Sequence, residues 1–108
     1  MIRRTFRTLD RADKDFDDAI DYYLMHAGEP IAERFVNAIS TAYAMIGENP
    51  EIGALRLGDA IGRPALRTWT VRGFPYVICY EVGPDSVAVW RVLHAQRDIP
   101  EHLLLTGG

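Results

Sequence analysis

Residues 66–94 read LRTWTVRGFPYVICYEVGPDSVAVWRVLH, and this stretch decides the fold. It contains three runs rich in Val, Ile, Tyr, Trp and Thr, at residues 66–72, 76–82 and 86–93. The sequences Gly-Phe-Pro at 73–75 and Gly-Pro-Asp at 83–85 separate the runs, and both are typical of short turns. Because short turns join strands that run in opposite directions, the stretch predicts an antiparallel meander of three strands.

Two amphipathic helices are predicted upstream, because apolar residues recur there at helical spacing. Asp10 or Asp13 is the expected cap of the first helix, and the other aspartates of that helix are expected to face mainly away from its apolar stripe. Gly28 is the expected left-handed stop, and Pro30 suits the first position of the second helix. A tight helical hairpin follows. Its two stripes are Phe16, Ala19, Ile20, Tyr23 and Leu24, then Ala32, Phe35, Ile39, Ala42, Tyr43 and Ile46.

The remaining segments complete the order β-α-α-β-β-β. Residues 1–9 predict a short strand with an edge-like face. Residues 48–64 contain three glycines and two prolines without helical periodicity, which predicts a surface connection. Residues 99–105, which include Pro100, predict a possible short C-terminal helix. We therefore expect an α+β fold in which the helical hairpin packs on one face of a small antiparallel sheet.

Length and composition are those of an ordinary globular domain. The chain has 108 residues, of which 48% are hydrophobic and 25% charged, enough for one core. Cys79 is the only cysteine, which excludes an internal disulfide, and its apolar surroundings predict a buried small hydrophobe, not a nucleophile. No apolar run is long enough to cross a bilayer. These features predict a single domain over residues 1–108, located in the cytoplasm and without membrane contact.

Charge is distributed unevenly along the chain. Residues 12–62 hold ten acidic and three basic groups, whereas residues 63–108 hold five arginines and four acidic groups, within a net charge of −3. Because non-specific nucleic-acid binding needs a net basic surface, we expect nucleic acid to be contacted only indirectly or locally.

No metal or cofactor is expected. The sequence contains none of the glycine-rich patterns that cradle phosphates, and the aspartates of the first helix lack the spacing of a calcium loop. The three histidines, His26, His94 and His102, are too dispersed to suggest a metal site. His26 is best interpreted as stabilising the end of the first helix.

His94 has the most distinctive surroundings of the three. It ends the last strand and is followed by Arg97, on a sheet that also carries Arg67 and Arg91. An imidazole beside arginines can act as an acid or base on a phosphodiester, with an arginine stabilising the transition state. The structural alternative is that pairs such as Arg97–Asp98 or Arg91–Glu81 fasten the strand end to the sheet, and spacing alone favours it.

Four aromatic residues also lie on adjacent predicted strands. They could stack nucleic-acid bases, but cross-strand packing is the commoner role for such residues. They are Trp69, Trp90, Tyr76 and Tyr80.

Several strings occur in a distinctive order along nearly the whole chain. They are Ala-Asp-Lys-Asp-Phe at 12–16, Asp-Tyr-Tyr at 21–23, residues 28–35, Asn-Pro-Glu-Ile-Gly at 49–53, Leu-Arg at 66–67, residues 74–81, and the His-x-x-Arg-Asp that ends residues 92–98. In order and spacing they resemble the RelE/ParE superfamily of bacterial type II toxin–antitoxin toxins, and most closely its ParE-like branch. The resemblance implies a toxin held inactive by a small antitoxin, ParD-like or similar, whose C-terminal segment wraps it. Tyr22, Met25 and Met45 become candidate antitoxin contacts if they are exposed, although core packing is the commoner role.

The branch determines the mechanism that the resemblance implies. RelE-like toxins cleave messenger RNA on the ribosome, and Arg67, Arg91, His94 and Arg97 would be the candidate catalytic residues. Such toxins are usually strongly basic and often place an aromatic or basic residue near the C-terminus. This chain has a net charge of −3, and its last six residues include neither an aromatic nor a basic residue. ParE-like toxins resemble a non-enzymatic poison that traps DNA gyrase on cleaved DNA, and this reading is favoured. The same four residues are then candidates for target contact or fold support. A third alternative is a non-toxic binding or co-repressor module with the same fold.

Overall fold

The computed structural model describes residues 4–100 as two long helices on one face of a four-stranded sheet. The predicted β-α-α-β-β-β order and the α+β class are confirmed. A 3-10 turn at Pro50–Ile52 and a third helix, α3 (Arg56–Ala60), are additional. The short helix predicted over residues 99–105 lies almost entirely outside the described residues, which end at Pro100. The elements are β1 (Thr5–Thr8), α1 (Asp10–His26), α2 (Glu29–Glu48), the 3-10 turn Pro50–Ile52, α3 (Arg56–Ala60), β2 (Leu66–Thr70), β3 (Tyr76–Val82) and β4 (Ser86–His94).

The sheet is mixed, not wholly antiparallel as expected. Its strand order is β1-β4-β3-β2, and β2, β3 and β4 form the predicted antiparallel meander. β1 runs parallel to β4, with Thr5 opposite Ser86 and Thr8 opposite Val89. The sequence pattern could not predict this direction, because side-chain alternation is the same in parallel and antiparallel strands.

The helix ends differ in detail from the expectation. Leu9 precedes α1 without a side-chain cap, so the predicted aspartate cap is wrong. Asp13 instead accepts a 2.6 Å hydrogen bond from the Thr8 hydroxyl. Gly28 has a positive φ of 90°, which favours glycine, but its ψ of 168° is extended, so the expected left-handed helical stop is wrong in detail. Pro30 lies in the first turn of α2, as expected. The connection 48–64 is more ordered than predicted, because it contains the 3-10 turn and α3.

The main core lies between the helical hairpin and the sheet. Phe35, Ile39 and Ile46 of α2 pack there against the sheet residues Ile78 and Tyr80. A smaller cluster on the opposite sheet face joins Leu57 of α3 to Leu66, Val77, Cys79 and Ile99. Both faces of the sheet are therefore covered, one by the hairpin and the other partly by α3.

Cys79 belongs to this smaller cluster and is buried, as predicted. Burial raises the pKa of its thiol to about 12, which keeps it protonated at neutral pH and unreactive. No helix in residues 4–100 combines the length and apolarity needed to cross a membrane.

Candidate functional site

Arg67 holds the connection that follows α2. Its guanidinium donates hydrogen bonds to the carbonyl oxygens of Glu51, at 3.0 Å, and Gly53, at 2.8 Å. The Tyr80 hydroxyl binds the same segment, donating to the Pro50 carbonyl at 2.7 Å and accepting from the Gly53 N–H at 2.8 Å. A Cβ on Gly53 would lie 2.5 Å from the Tyr80 hydroxyl oxygen, so only glycine fits. Through its two hydrogen bonds, the Arg67 side chain helps to hold this segment against the sheet.

Arg91 pairs with Asp15, so the expected Arg91–Glu81 pair is wrong. Arg91 Nε lies 2.7 Å from one Asp15 oxygen, and a terminal guanidinium nitrogen lies 3.0 Å from the other. The Val92 N–H also donates to Asp15, at 3.0 Å. The hydrogen bond to Asp15 raises the pKa of Arg91. Glu81 pairs instead with Arg63, at 2.9 Å.

The position of Asp15 follows from the short first strand. β1 pairs β4 only as far as Val89, so among residues 4–100 no strand covers the outer edge of β4 beyond that residue. α1 lies against this part of β4, and the Asp15 carboxylate accepts the Val92 N–H that a longer β1 would have bound. The expectation that the aspartates of α1 face away from the apolar stripe is therefore wrong for Asp15.

His94, Arg97 and Asp98 form a compact turn after β4, in which the predicted Arg97–Asp98 pair is confirmed at 3.0 Å. Asp98 also accepts the His94 backbone N–H at 2.8 Å, and the Arg97 guanidinium beside it lowers the pKa of its carboxyl. The backbone N–H groups of Gln96 and Arg97 donate to His94 Nδ1 at 3.2 and 3.1 Å. In the neutral ring this places the proton on Nε2.

The four candidate residues do not form one cluster. His94 and Arg97 share the turn, and Arg97 lines a small cavity of about 70 Å³ together with Asp15. Arg67 lies opposite Tyr80 on β3, whereas His94 lies opposite Tyr76 on the other side of that strand. Those two positions are four residues apart along β3, a distance of about 13 Å along the strand.

The candidate antitoxin contacts are exposed, as the partner hypothesis requires. Tyr22 is 50% exposed, Met25 82% and Met45 40%. Tyr22 and Met25 lie in the last turns of α1, where His26 stacks on the Tyr22 ring and its Nδ1 lies 2.9 Å from the Tyr22 carbonyl oxygen. Met45 is 16 residues from Glu29, the start of α2, or about 24 Å along the helix. The three residues therefore mark two separate surfaces.

Three of the four aromatic residues on the strands pack in the main core or against it. Tyr76 and Tyr80 are buried in the main core, and Trp69 packs against that core while partly exposed. Trp90 lies under the guanidinium of Arg63, whose central carbon is 4.1 Å from the ring centre.

The structure also contains a groove beside β2 that the sequence analysis does not predict. It has a volume of about 600 Å³ and lies between α2 and the end of β2. Its residues on α2 recur at helical spacing, which is the only signal that the sequence offers, and those on the sheet side are distant in the chain. We call it the β2-edge groove and define it by Arg34, Ala38, Thr41, Met45, Trp69 and Arg72.

Within residues 4–100, no three His, Cys, Asp or Glu side chains come together in a group that could hold a metal ion.

Known proteins resemble this chain both in sequence pattern and in fold. The sequence pattern described as the ParE toxin of the type II toxin–antitoxin system parDE matches residues 6–99. The chain belongs to the ParE toxin family. A solved structure titled as the chromosomal ParDE TA system from P. aeruginosa is similar to this ParE-family chain, with a TM-score of 0.74 and 20% identity. That likeness covers 87% of this chain and 98% of the other, and at this identity it shows the fold alone. No curated protein matches the sequence.

Proposed function

We propose that this ParE-family toxin traps DNA gyrase on cleaved DNA and is neutralised by a ParD-like antitoxin encoded beside it. The family match over residues 6–99 is the observation that carries the proposal. The gyrase target itself comes from the resemblance to ParE-like toxins. The toxin would act in the cytoplasm, where gyrase and the antitoxin are found.

The contacts of the candidate residues support a protein target over RNA cleavage. Cleavage of a phosphodiester by this set would need a free cation at the transition state together with an acid and a base. Arg67 instead binds two backbone carbonyls, and Arg91 binds Asp15. His94 Nδ1 accepts two backbone N–H groups, so only Nε2 is available for exchange of a proton. The net charge of −3 likewise disfavours broad attraction to RNA.

Arg97 and His94 are the remaining candidates for contact with the target. The Arg97 side chain is 64% exposed even though it is paired with Asp98. Arg67 and Arg91 are assigned to fold support in this proposal. The assignment predicts that Arg97→Ala lowers toxicity in a folded protein, whereas Arg67→Ala and Arg91→Ala act mainly through stability.

Induction of the chain in a bacterial host tests the proposal. With the adjacent antitoxin gene absent, we expect growth arrest, double-strand DNA breaks and an induced DNA-damage response, and coexpression of the antitoxin should restore growth. Arg11→Ala is a matched control for Arg97→Ala, because Arg11 is exposed and lies on α1. New transcript ends that disappear with His94→Ala and Arg97→Ala would contradict the gyrase proposal in favour of an RNA endonuclease. Unimpaired growth would instead favour a non-toxic binding module.

A further inference from the structure

The two long helices leave a second groove on the outside of the helical hairpin. It has a volume of about 300 Å³, and its lining comes from α1 and α2. Ile20 and Leu24 of α1 and Val36 of α2 are at least partly exposed there, and Ala32, which is small and buried, adds little bulk. We call it the hairpin groove and define it by Ile20, Leu24, Glu29, Ala32, Glu33 and Val36.

The apolar part of the groove has the shape that receives one more helix. Leu24 is 46% exposed, and a single exposed leucine is normal at a protein surface. Here, however, it lies with Ile20 and Val36 in one concave surface between two adjacent helices. An amphipathic helix binds such a groove by placing apolar side chains at positions i, i+3, i+4 and i+7 in it. The apolar surface therefore favours a helical occupant.

Four carboxylates border this apolar surface. Glu29 and Glu33 line the groove on α2. Asp17 and Asp21 each lie three residues before an apolar groove residue of α1, so they share the same face of that helix. All four are exposed, and the ion pairs found among residues 4–100 include none of them.

The spacing of these carboxylates opposes helix stability. The two on α1 are four residues apart, and so are the two on α2, and like charges at that spacing repel on a helix surface. Lys14, the only lysine of the chain, pairs with Asp18 at 3.3 Å. Positive charge supplied by a partner would relieve both repulsions.

Charge selects among the candidate occupants. Nucleic acid carries the same sign as the rim of the groove and is repelled by it. A second copy of this chain docked symmetrically would bring the carboxylates of both copies together, since a two-fold interface places the same surface on both sides. A basic amphipathic helix of another protein matches both the apolar floor and the acidic rim. A protein that holds DNA presents lysines and arginines to the phosphates, so the proposed target has surfaces of this charge.

We propose that the hairpin groove binds a basic amphipathic helix of DNA gyrase. The inference rests on the proposed function, which supplies the target. Apolar side chains of that helix pack on Ile20, Leu24 and Val36, and its lysines or arginines lie against the carboxylates on either side. The helical hairpin, and not only the turn that carries Arg97, then contacts the target.

The charge of the groove is tested by the double reversal Asp21→Lys with Glu33→Lys. Its control, Glu48→Lys with Asp59→Lys, changes the net charge equally at exposed positions outside the groove. The double reversal replaces two repelling pairs by attractive ones, with the acid four residues before the lysine, so its melting temperature should not fall. We expect it to weaken gyrase binding by about 100-fold, and the control by no more than about threefold.

The apolar surface is tested by Leu24→Gln, which keeps a long helix-forming side chain and removes its apolar character. Ile61→Gln is the control, because Ile61 is 49% exposed, against 46% for Leu24, and follows α3 outside the groove. Burial of the exposed half of a leucine side chain corresponds to about tenfold in affinity. We expect that loss for Leu24→Gln, and a change within about threefold for Ile61→Gln.

Binding of each variant to the gyrase holoenzyme on DNA is measured by biolayer interferometry, and inhibition by the supercoiling assay. The parallel readout is affinity for the antitoxin encoded beside the gene, measured by calorimetric titration, because a general defect in folding lowers both affinities. Weaker gyrase binding by the double reversal and by Leu24→Gln, with antitoxin affinity unchanged, supports the proposal.

Other results would overturn it. Unchanged gyrase binding in both variants, with inhibition by the unmodified toxin, removes the groove from the contact and leaves the proposed function intact. A loss confined to antitoxin affinity assigns the groove to the antitoxin instead. A loss in the double reversal alone, with Leu24→Gln unchanged, indicates attraction at long range without a docked helix. No inhibition by the unmodified toxin would contradict the proposed function itself.

Discussion

Replacement of Asp15 by alanine should destabilise the fold by about 3 kcal/mol. The carboxylate accepts two hydrogen bonds from Arg91 and one from the Val92 N–H, of 2.7 to 3.0 Å. The pair is partly buried, with the Arg91 side chain 34% exposed and that of Asp15 17%. Removal of one partner of a fully buried ion pair costs about 3–5 kcal/mol, and of an exposed pair about 0–1 kcal/mol. This partly buried pair should therefore contribute about 2 kcal/mol. The unpaired Val92 N–H adds about 1 kcal/mol.

Urea unfolding followed by circular dichroism measures this loss. For a chain of this size, 3 kcal/mol corresponds to a melting temperature lower by about 15 °C. Asp18→Ala is the matched control, because Asp18 lies on the same helix, pairs with the exposed Lys14 at 3.3 Å and is itself 62% exposed. We expect Asp18→Ala to cost no more than about 0.5 kcal/mol.

A double-mutant cycle with Arg91→Ala separates the ion pair from the other contacts of Asp15. We expect a coupling free energy of about 2 kcal/mol between the two positions. A loss below about 1 kcal/mol in Asp15→Ala, or one equal to that in Asp18→Ala, would refute the reasoning. The edge of β4 would then not depend on this carboxylate.

Three further predictions concern single side chains. Gly53→Ala should cost about 1–3 kcal/mol in urea unfolding, because the new Cβ would meet the Tyr80 hydroxyl, whereas Gly47→Ala in α2, with only an ordinary 3.8 Å contact, should be neutral or stabilising. Burial, with nearby carboxylates, raises the pKa of Tyr43 to about 12, above its unfolded value of about 10. The contribution of the neutral Tyr43 to stability is therefore full below about pH 10 and is lost as the pH rises towards 12. Tyr43→Phe should reduce this alkaline fall in the free energy of unfolding, and an unchanged fall would contradict the prediction. The hydrogen bond from Arg97 lowers the pKa of Asp98, so its contribution is present above about pH 4 and lost as the pH falls further. Asp98→Asn should flatten the acid side of the stability profile, and an equally steep profile would argue against the contact.

The strands of the meander could be predicted from the sequence because their boundaries have local chemical causes. Turns at 73–75 and 83–85 separate the runs of β-branched and aromatic residues, and β3 coincides with its predicted range. The direction of β1 could not be predicted, since the pairing of Thr5 with Ser86 joins segments that are far apart in the chain.

The contacts of the candidate site were less accessible to sequence reasoning. Helical periodicity places charged residues on the solvent side, and nothing in the pattern distinguishes Asp15 from the neighbouring aspartates. Arg67 binds backbone carbonyls, which leave no trace in side-chain types. The β2-edge groove combines residues of α2 and β2 that meet only in the folded chain. Only the Arg97–Asp98 pair, between adjacent residues, could be predicted correctly from spacing.

Titration of purified toxin into DNA gyrase, ATP and plasmid DNA tests the central claim most directly, with linear DNA measured after protein denaturation and protease treatment. We predict that supercoiling falls and linear plasmid accumulates as toxin is added, and that prior mixing with the antitoxin prevents both. Intact supercoiling without linear DNA, at saturating toxin shown to be folded by circular dichroism, would contradict the claim.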